Sequence, residues 1–192
     1  MENEKLYQIL AGNHPVRPEL REKINGLIKK ESLPKNQVLL KPGQINTRVW
    51  FIDKGSAIGY IYKDGKKIPF LFWNENAVML SMNSFFNQVA SDCFIELIEP
   101  SVLYSITADE LQEILKTNPE THIYIRKIMN DYQYQSEKRV IRFTSLTPEE
   151  HYLYLLKEMP AILRKASVES ISAYLGISRK TLNRIRNRTR RM

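Results

Sequence analysis

The sequence predicts an α+β protein. Helices come first, then a run of short antiparallel strands folded as a jelly-roll-like sandwich or barrel, then a long helix and a terminal helix-turn-helix. Three observations carry this. From about Leu33 to residue 106, short stretches rich in Val, Ile, Phe, Trp and Tyr alternate with turn residues. Helical periodicity returns at Thr107 and persists. Charge is unevenly distributed: from Lys138 onward there are 13 Lys and Arg against 4 Asp and Glu, whereas the first 137 residues carry 16 against 17. A near-neutral body followed by a strongly basic portion is the electrostatic footprint of a phosphate-backbone binder.

Taking the elements in order, residues 4–32 read as helical, with Leu20, Ile24, Leu27 and Ile28 at helical spacing and Pro18 at a first turn. Strands follow in QVLL, RVWFIDKG and SAIGYIYKDGKKIPFLFW, and later in CFIELIE and SVLYSI. Lys63-Asp64-Gly65-Lys66 predicts a hairpin, because Asp-Gly readily takes the positive φ angles that match strand twist. Thr107 and Glu110 form a capping box for the next helix.

Pro119 opens a longer helix running to about Phe143. Ile125, Met129, Tyr132, Ser136, Arg139 and Phe143 follow alternating steps of four and three, a seam suited to pairing two helices; the alternative is a helix packed on its own β region. Thr147, Pro148 and Glu150 then start a helix carrying Tyr152, Leu153, Leu155 and Leu156, with Pro160 near its end. The chain divides as 1–118, an N-terminal β domain with flanking helices; 119–144, a dimerisation helix; and 145–192, a helix-turn-helix domain.

The helix-turn-helix lies between Ser167 and Arg188. Ser167 caps a short helix whose buried face is Val168, Ile171 and Leu175, and Ala173 is small where the two helices cross. Gly176 supplies the turn and Ile177 plugs the corner. Ser178 caps a second helix with Leu182 and Ile185 buried, the DNA-binding pattern. On its exposed face Arg179, Lys180, Asn183 and Arg184 are placed where a recognition helix reads base edges. Arginine can donate two bonds to guanine and asparagine can pair with adenine. Ser178 and Thr181 suit phosphate contacts, as do Arg186, Arg188, Arg190 and Arg191.

Gly-Ile-Ser-Arg-Lys-Thr-Leu-Asn-Arg-Ile-Arg resembles the recognition segment of the Crp/Fnr transcription regulators. Pro42-Gly43, Val49-Trp50-Phe51-Ile52 and Gly55 resemble the cyclic-nucleotide-binding-type β-roll of that family. The resemblance covers nearly the whole chain. It implies a long dimer helix, a winged helix-turn-helix, a homodimer on a palindromic double-stranded DNA site, and RNA polymerase as a further partner. Arg179 and Arg184 match positions that contact bases in the family. Lys180 stands where many members have Glu, which accepts from cytosine, so the resemblance implies a different half-site. Few residues follow the recognition helix, too few for a full C-terminal wing.

The same comparison argues against cyclic AMP. Family members that bind it use a Gly-Glu pair and an Arg-Ser or Arg-Thr pair around the phosphate. Trp73 to Cys93 contains no Gly, Arg or Lys; Glu75 alone mimics the family Glu, and Asp92 opposes an anion. The effector is left unidentified, and no cofactor is expected. His14, His122 and His151 lie outside the β region and form no metal cluster, and Cys93 is the only cysteine. No nucleophile–base motif points to an enzyme. Phe70-Leu71-Phe72-Trp73 with Phe85-Phe86 are either core or the lining of an apolar effector pocket. MENEKLYQIL does not resemble a signal peptide, and no run of about 18 apolar residues spans a membrane, so a cytoplasmic location is expected. The competing function is a small-molecule-binding sensory module whose helix-turn-helix mediates protein contacts.

Overall fold

A computed structural model describes residues 4–11 and 14–189. The Asp-Gly hairpin forms as its residues require. Asp64 and Gly65 have φ of 51° and 72°, and they join β4 (Ala57–Lys63) to β5 (Lys66–Trp73). The remaining strands are β1 (Lys29–Leu33), β2 (Val38–Leu40), β3 (Arg48–Lys54), β6 (Val78–Met79), β7 (Phe94–Leu97) and β8 (Ser101–Thr107). They build two antiparallel four-stranded sheets, one in the order β1-β8-β3-β6 and the other β2-β7-β4-β5. We call these the first and second sheets.

Side-chain alternation assigns every strand two faces. Trp50, Ile52, Met79 and Leu103 of the first sheet meet Leu40, Ala57, Trp73, Ile95 and Leu97 of the second in one buried cluster. The opposite faces are also covered. Phe51 and Tyr104 point from the first sheet toward the N-terminal helices α1 (Glu4–Ala11) and α2 (Pro18–Leu27). Ile58, Tyr60 and Phe72 point from the second sheet into a cluster with C-terminal helices. Ala57–Tyr60 is buried without interruption because both of its faces are covered.

Gly55, between β3 and β4, is fixed twice over. Its φ is +110°, and a Cβ there would lie 2.1 Å from the Ser101 hydroxyl oxygen.

Several boundaries differ from the sequence reading. Helix α2 stops at Leu27, and residues 29–32, expected to be helical, form part of β1. Five residues, Lys29–Leu33, pair in register with β8, and that pairing overrides their helical propensity. Strand β6 and helix α3 (Met82–Asn87) occupy a stretch without an assigned element, and α7 (Pro160–Lys165) follows α6 (Pro148–Glu158). Helix α4 (Ala108–Thr117) carries the expected capping box, with Glu110 N–H donating to Thr107 Oγ1 at 3.2 Å. Helix α5 runs Thr121–Ser145, two residues later at its start than Pro119.

Candidate nucleic-acid interface

The end of the chain is a helical hairpin of α8 (Val168–Tyr174) and α9 (Arg179–Thr189). Ser167 caps α8 by accepting from Ser170 N–H at 3.0 Å. Gly176 makes the turn at φ +67°, and nothing lies within 4 Å of a Cβ built there, so backbone conformation alone selects glycine. Ser178 caps α9 by accepting from Thr181 N–H at 3.0 Å. Ile171, Leu175, Leu182 and Ile185 are buried as expected. Val168 is a correction: it is exposed, and Ser172 and Tyr174 turn inward instead. The reason is the neighbour against which α8 packs. Tyr174 meets Phe72 of β5 edge-on at 5.1 Å, which sets the rotation of the helix.

Burial of Leu182 and Ile185 orients everything else on α9, each contributing roughly 1.5–3 kcal/mol. Arg179, Lys180, Asn183 and Arg184 are exposed on the opposite side. Asn187 stands one turn beyond Asn183 on that face and is exposed as well; helical spacing from Lys180 and Asn183 was the signal for it. Arg179 pairs with Glu169 at 2.7 Å, with both side chains more than half exposed. Such a pair is worth about 0–1 kcal/mol, little enough to exchange for a phosphate or a base. The Ser178 and Thr181 hydroxyls lie 2.9 Å apart at the helix N-terminus. Arg188 is also more than half exposed and pairs with Glu149 of α6 at 2.6 Å. Arg190 and Arg191 lie outside the described residues.

Behind the hairpin, His151 of α6 is buried among the rings of Phe143, Tyr174 and Tyr154. Burial, and secondarily the nearby Arg142 charge, hold its imidazole below the usual histidine range. Lys165 of α7 reaches Glu99 at 2.7 Å, and Glu99 also accepts from the Ser56 hydroxyl at 2.7 Å, tying the C-terminal helices to the β domain.

The long helix divides its seam between two environments. The Tyr132 hydroxyl donates to the Val78 carbonyl at 2.8 Å and accepts from the Trp73 indole at 3.0 Å, and its burial pushes its pKa up to about 12. Arg139 donates to the Phe70 carbonyl at 2.6 Å, and Ile125 lines an apolar cavity. These three side chains face the chain's own β domain. Met129 and Phe143 are exposed, and Ser136 is half-buried between them. The exposed side of the helix carries apolar Met129, Val140 and Phe143 with polar Gln133 among them, and Ser136 half-buried beside them.

Glu75, Ser81 and Ser84 of the segment from Trp73 to Cys93 are engaged within the β domain. Glu75 lies 3.4 Å from the Gly55 N–H, and buried Asn46 takes up Ser81, Ser84 and the Arg48 carbonyl. No Lys or Arg occurs in the segment to meet a phosphate. Among the described residues no cluster of His, Cys, Asp and Glu could hold a metal, and no helix is long and apolar enough to cross a membrane. Trp73 is core and Phe72 packs on Tyr174, so only Phe85 and Phe86 of the aromatic set line the cavity.

Residues 30–118 match the cyclic nucleotide-binding domain family. No curated protein sequence matches the chain. Among solved structures, FixK2 from Bradyrhizobium japonicum aligns with a TM-score of 0.72 at 16% identity, over 84% of each chain. The c-di-GMP-responsive global regulator CLP from Xanthomonas campestris aligns at 0.67 and 15% identity, over 91% of this chain and 92% of that one. The Thermus thermophilus catabolite activator protein aligns at 0.57 and 12% identity, over 93% and 85%. The protein thus contains a cyclic nucleotide-binding-type domain, at residues 30–118, within a chain that has the fold of the Crp/Fnr transcription regulators.

Proposed function

We propose that the protein is a homodimeric, sequence-specific regulator of transcription, located in the cytoplasm, that binds double-stranded DNA and does not respond to cyclic AMP. The observation that carries this reading is the outer face of α9. Four side chains able to contact bases, Arg179, Lys180, Asn183 and Arg184, stand exposed together at the N-terminal end of a helix anchored by Leu182 and Ile185. Ser178, Thr181 and the helix N-terminus supply phosphate contacts. In this reading 1–118 is a sensory domain, 119–144 pairs two copies, and 145–192 binds DNA. The pairing surface in this reading is the side of α5 that carries Met129, Val140 and Phe143, three exposed apolar side chains with polar Gln133 and Ser136 between them.

Selection of bound duplexes from a random library tests the reading. The expected product is a palindrome with half-sites about one helical turn, roughly 10 bp, or a multiple apart. The logarithm of the affinity falls linearly with the logarithm of salt concentration, and cyclic AMP leaves the yield unchanged. Arg184→Ala relaxes one base position at a cost of about 1–3 kcal/mol. If no sequence is enriched, and cellular function survives neutralisation of Arg179, Lys180 and Arg184, the hairpin docks a protein instead.

A further inference from the structure

Strand β5 carries a bulge where it meets the long helix. Gly59 of β4 pairs with Leu71 and Tyr60 pairs with Pro69, so Phe70 is the extra residue. A bulge bends its strand and re-aims the groups it carries. Here the Phe70 carbonyl accepts from Arg139 of α5 at 2.6 Å. Gly59 makes room opposite, because a Cβ there would lie 3.0 Å from both the Phe70 and the Trp73 rings. The Trp73 indole donates to the Tyr132 hydroxyl of α5 at 3.0 Å, and that hydroxyl donates to the Val78 carbonyl at 2.8 Å. Phe72 lies between these contacts in sequence, turns to the other side of the sheet and meets Tyr174 of α8.

The short stretch Phe70–Trp73 therefore touches two helices, α5 and α8, that the chain joins only through residues 146–167. The two helices also meet directly: the Phe143 ring of α5 lies 5.6 Å from Tyr174. Three elements in mutual contact cannot turn about one another without breaking a contact, whereas two joined at one hinge can. The angle fixed at α8 passes on to α9, because Ile171, Leu175, Leu182 and Ile185 are buried in the same cluster as Ile58, Tyr60 and Phe72. A close-packed interior transmits such a constraint. Opening the triangle at Tyr132 strands a buried hydroxyl and an indole N–H, which opposes the motion.

We propose that Phe72, Trp73 and Tyr132 are positioning residues for DNA recognition: they fix the angle between α5 and α9, and with it the distance between the recognition helices of two paired copies. The proposal rests on the reading of the protein as a dimer on a palindromic site. In such a dimer protein geometry sets the half-site spacing. One base pair more or less displaces a half-site by about 3.4 Å along the duplex and about 35° around it. A rigid dimer cannot follow that displacement, and a loosened one can.

The test uses the full chain and the palindrome that it selects, together with versions whose half-sites are one base pair closer or farther apart. The unmodified protein is expected to bind the altered spacings about ten-fold more weakly, within the range that one mismatched base pair costs. Tyr132→Phe removes the hydroxyl and keeps the ring. Phe72→Leu removes the ring edge on Tyr174 and keeps an apolar side chain. Each is expected to bring the three affinities toward one another, with the helical circular dichroism unchanged. A side chain that only stabilises the fold lowers all three affinities by the same factor, so an unchanged ratio in both variants overturns the proposal. A ratio that changes with Phe72→Leu alone removes Trp73 and Tyr132 from the role. If the unmodified protein selects no palindrome, the dimeric reading fails and the spacing role with it. A strict spacing that survives both substitutions overturns the spacing role alone.

Discussion

The two outer faces of the β domain are covered in different ways. Beyond the second sheet, Ile58, Tyr60 and Phe72 merge with Tyr152, Leu155, Ile162, Ile171, Tyr174, Leu182 and Ile185 into one buried cluster, closed at its edge by Lys165 and Glu99. Beyond the first sheet, the covering helices meet Phe51, Tyr104 and Val49 across an apolar cavity. The two sheets share a single inner core, so the contrast does not arise from the strands. It arises from what covers them. The dense side positions a helix that must present its outer face in a fixed direction. The loose side touches the start of the helix that links the two halves of the chain.

The largest test of this contrast is Phe72→Ala. It removes a ring packed at 5.1 Å on Tyr174 and leaves a void in the buried cluster. Urea unfolding should register a loss of about 3–5 kcal/mol, and DNA binding should weaken because α8 loses its stop. A loss below roughly 1 kcal/mol, smaller than the range for such truncations, would mean that the dense cluster does not form in solution.

Enlarging side chains separates the two faces more sharply, because the sign of the effect differs. Ile58→Phe overfills the second face and is expected to cost about 1–3 kcal/mol. Val49→Ile adds one methyl at the cavity and keeps β-branching in a strand, so it is expected to stabilise by about 0.5 kcal/mol or slightly more. Equal destabilisation by both changes would show that the first face is as full as the second.

A smaller effect should appear with pH. His151 is held neutral within the dense cluster, with its folded pKa below the unfolded value of about 6.5. Unfolding therefore takes up a proton at mildly acidic pH. The stability from neutral His151 is complete above about pH 6.5 and is lost as pH falls toward the folded pKa. His151→Phe, surrounded by rings, should flatten that part of the stability curve, measured by denaturant midpoints between about pH 5 and 7, the window that straddles the histidine value. An unchanged slope would place the titration elsewhere.

Much of this was legible beforehand for physical reasons that are local. The Asp64-Gly65 turn, the Thr107–Glu110 and Thr147–Glu150 boxes and the Gly176 turn depend on neighbouring residues in the chain. The α9 face was readable because Leu182 and Ile185 define the buried side of a single helix, and the exposed side follows from its period. What failed was decided by distant partners. Lys29–Ser32 is helical by pattern and a strand by pairing with β8. Val168 lost its place in the core to Tyr174 because β5 supplies Phe72. For α5, periodicity gave a seam with a polar middle at Ser136 and Arg139 and left open whether a second copy or the β domain meets it; the Tyr132 and Arg139 side chains bond to Trp73, Val78 and Phe70 of the β domain.

By itself, the sequence determined the elements whose signals lie within a few residues: the hairpin, the caps, the helical hairpin and the basic face of α9. Only the tertiary structure decided which faces those elements turn to one another. It buried both sides of the second sheet, left a cavity outside the first and stranded the Thr121 hydroxyl. A turn or a cap is satisfied by neighbours that the chain itself supplies, whereas burial depends on residues brought together from far apart, and periodicity carries no record of those.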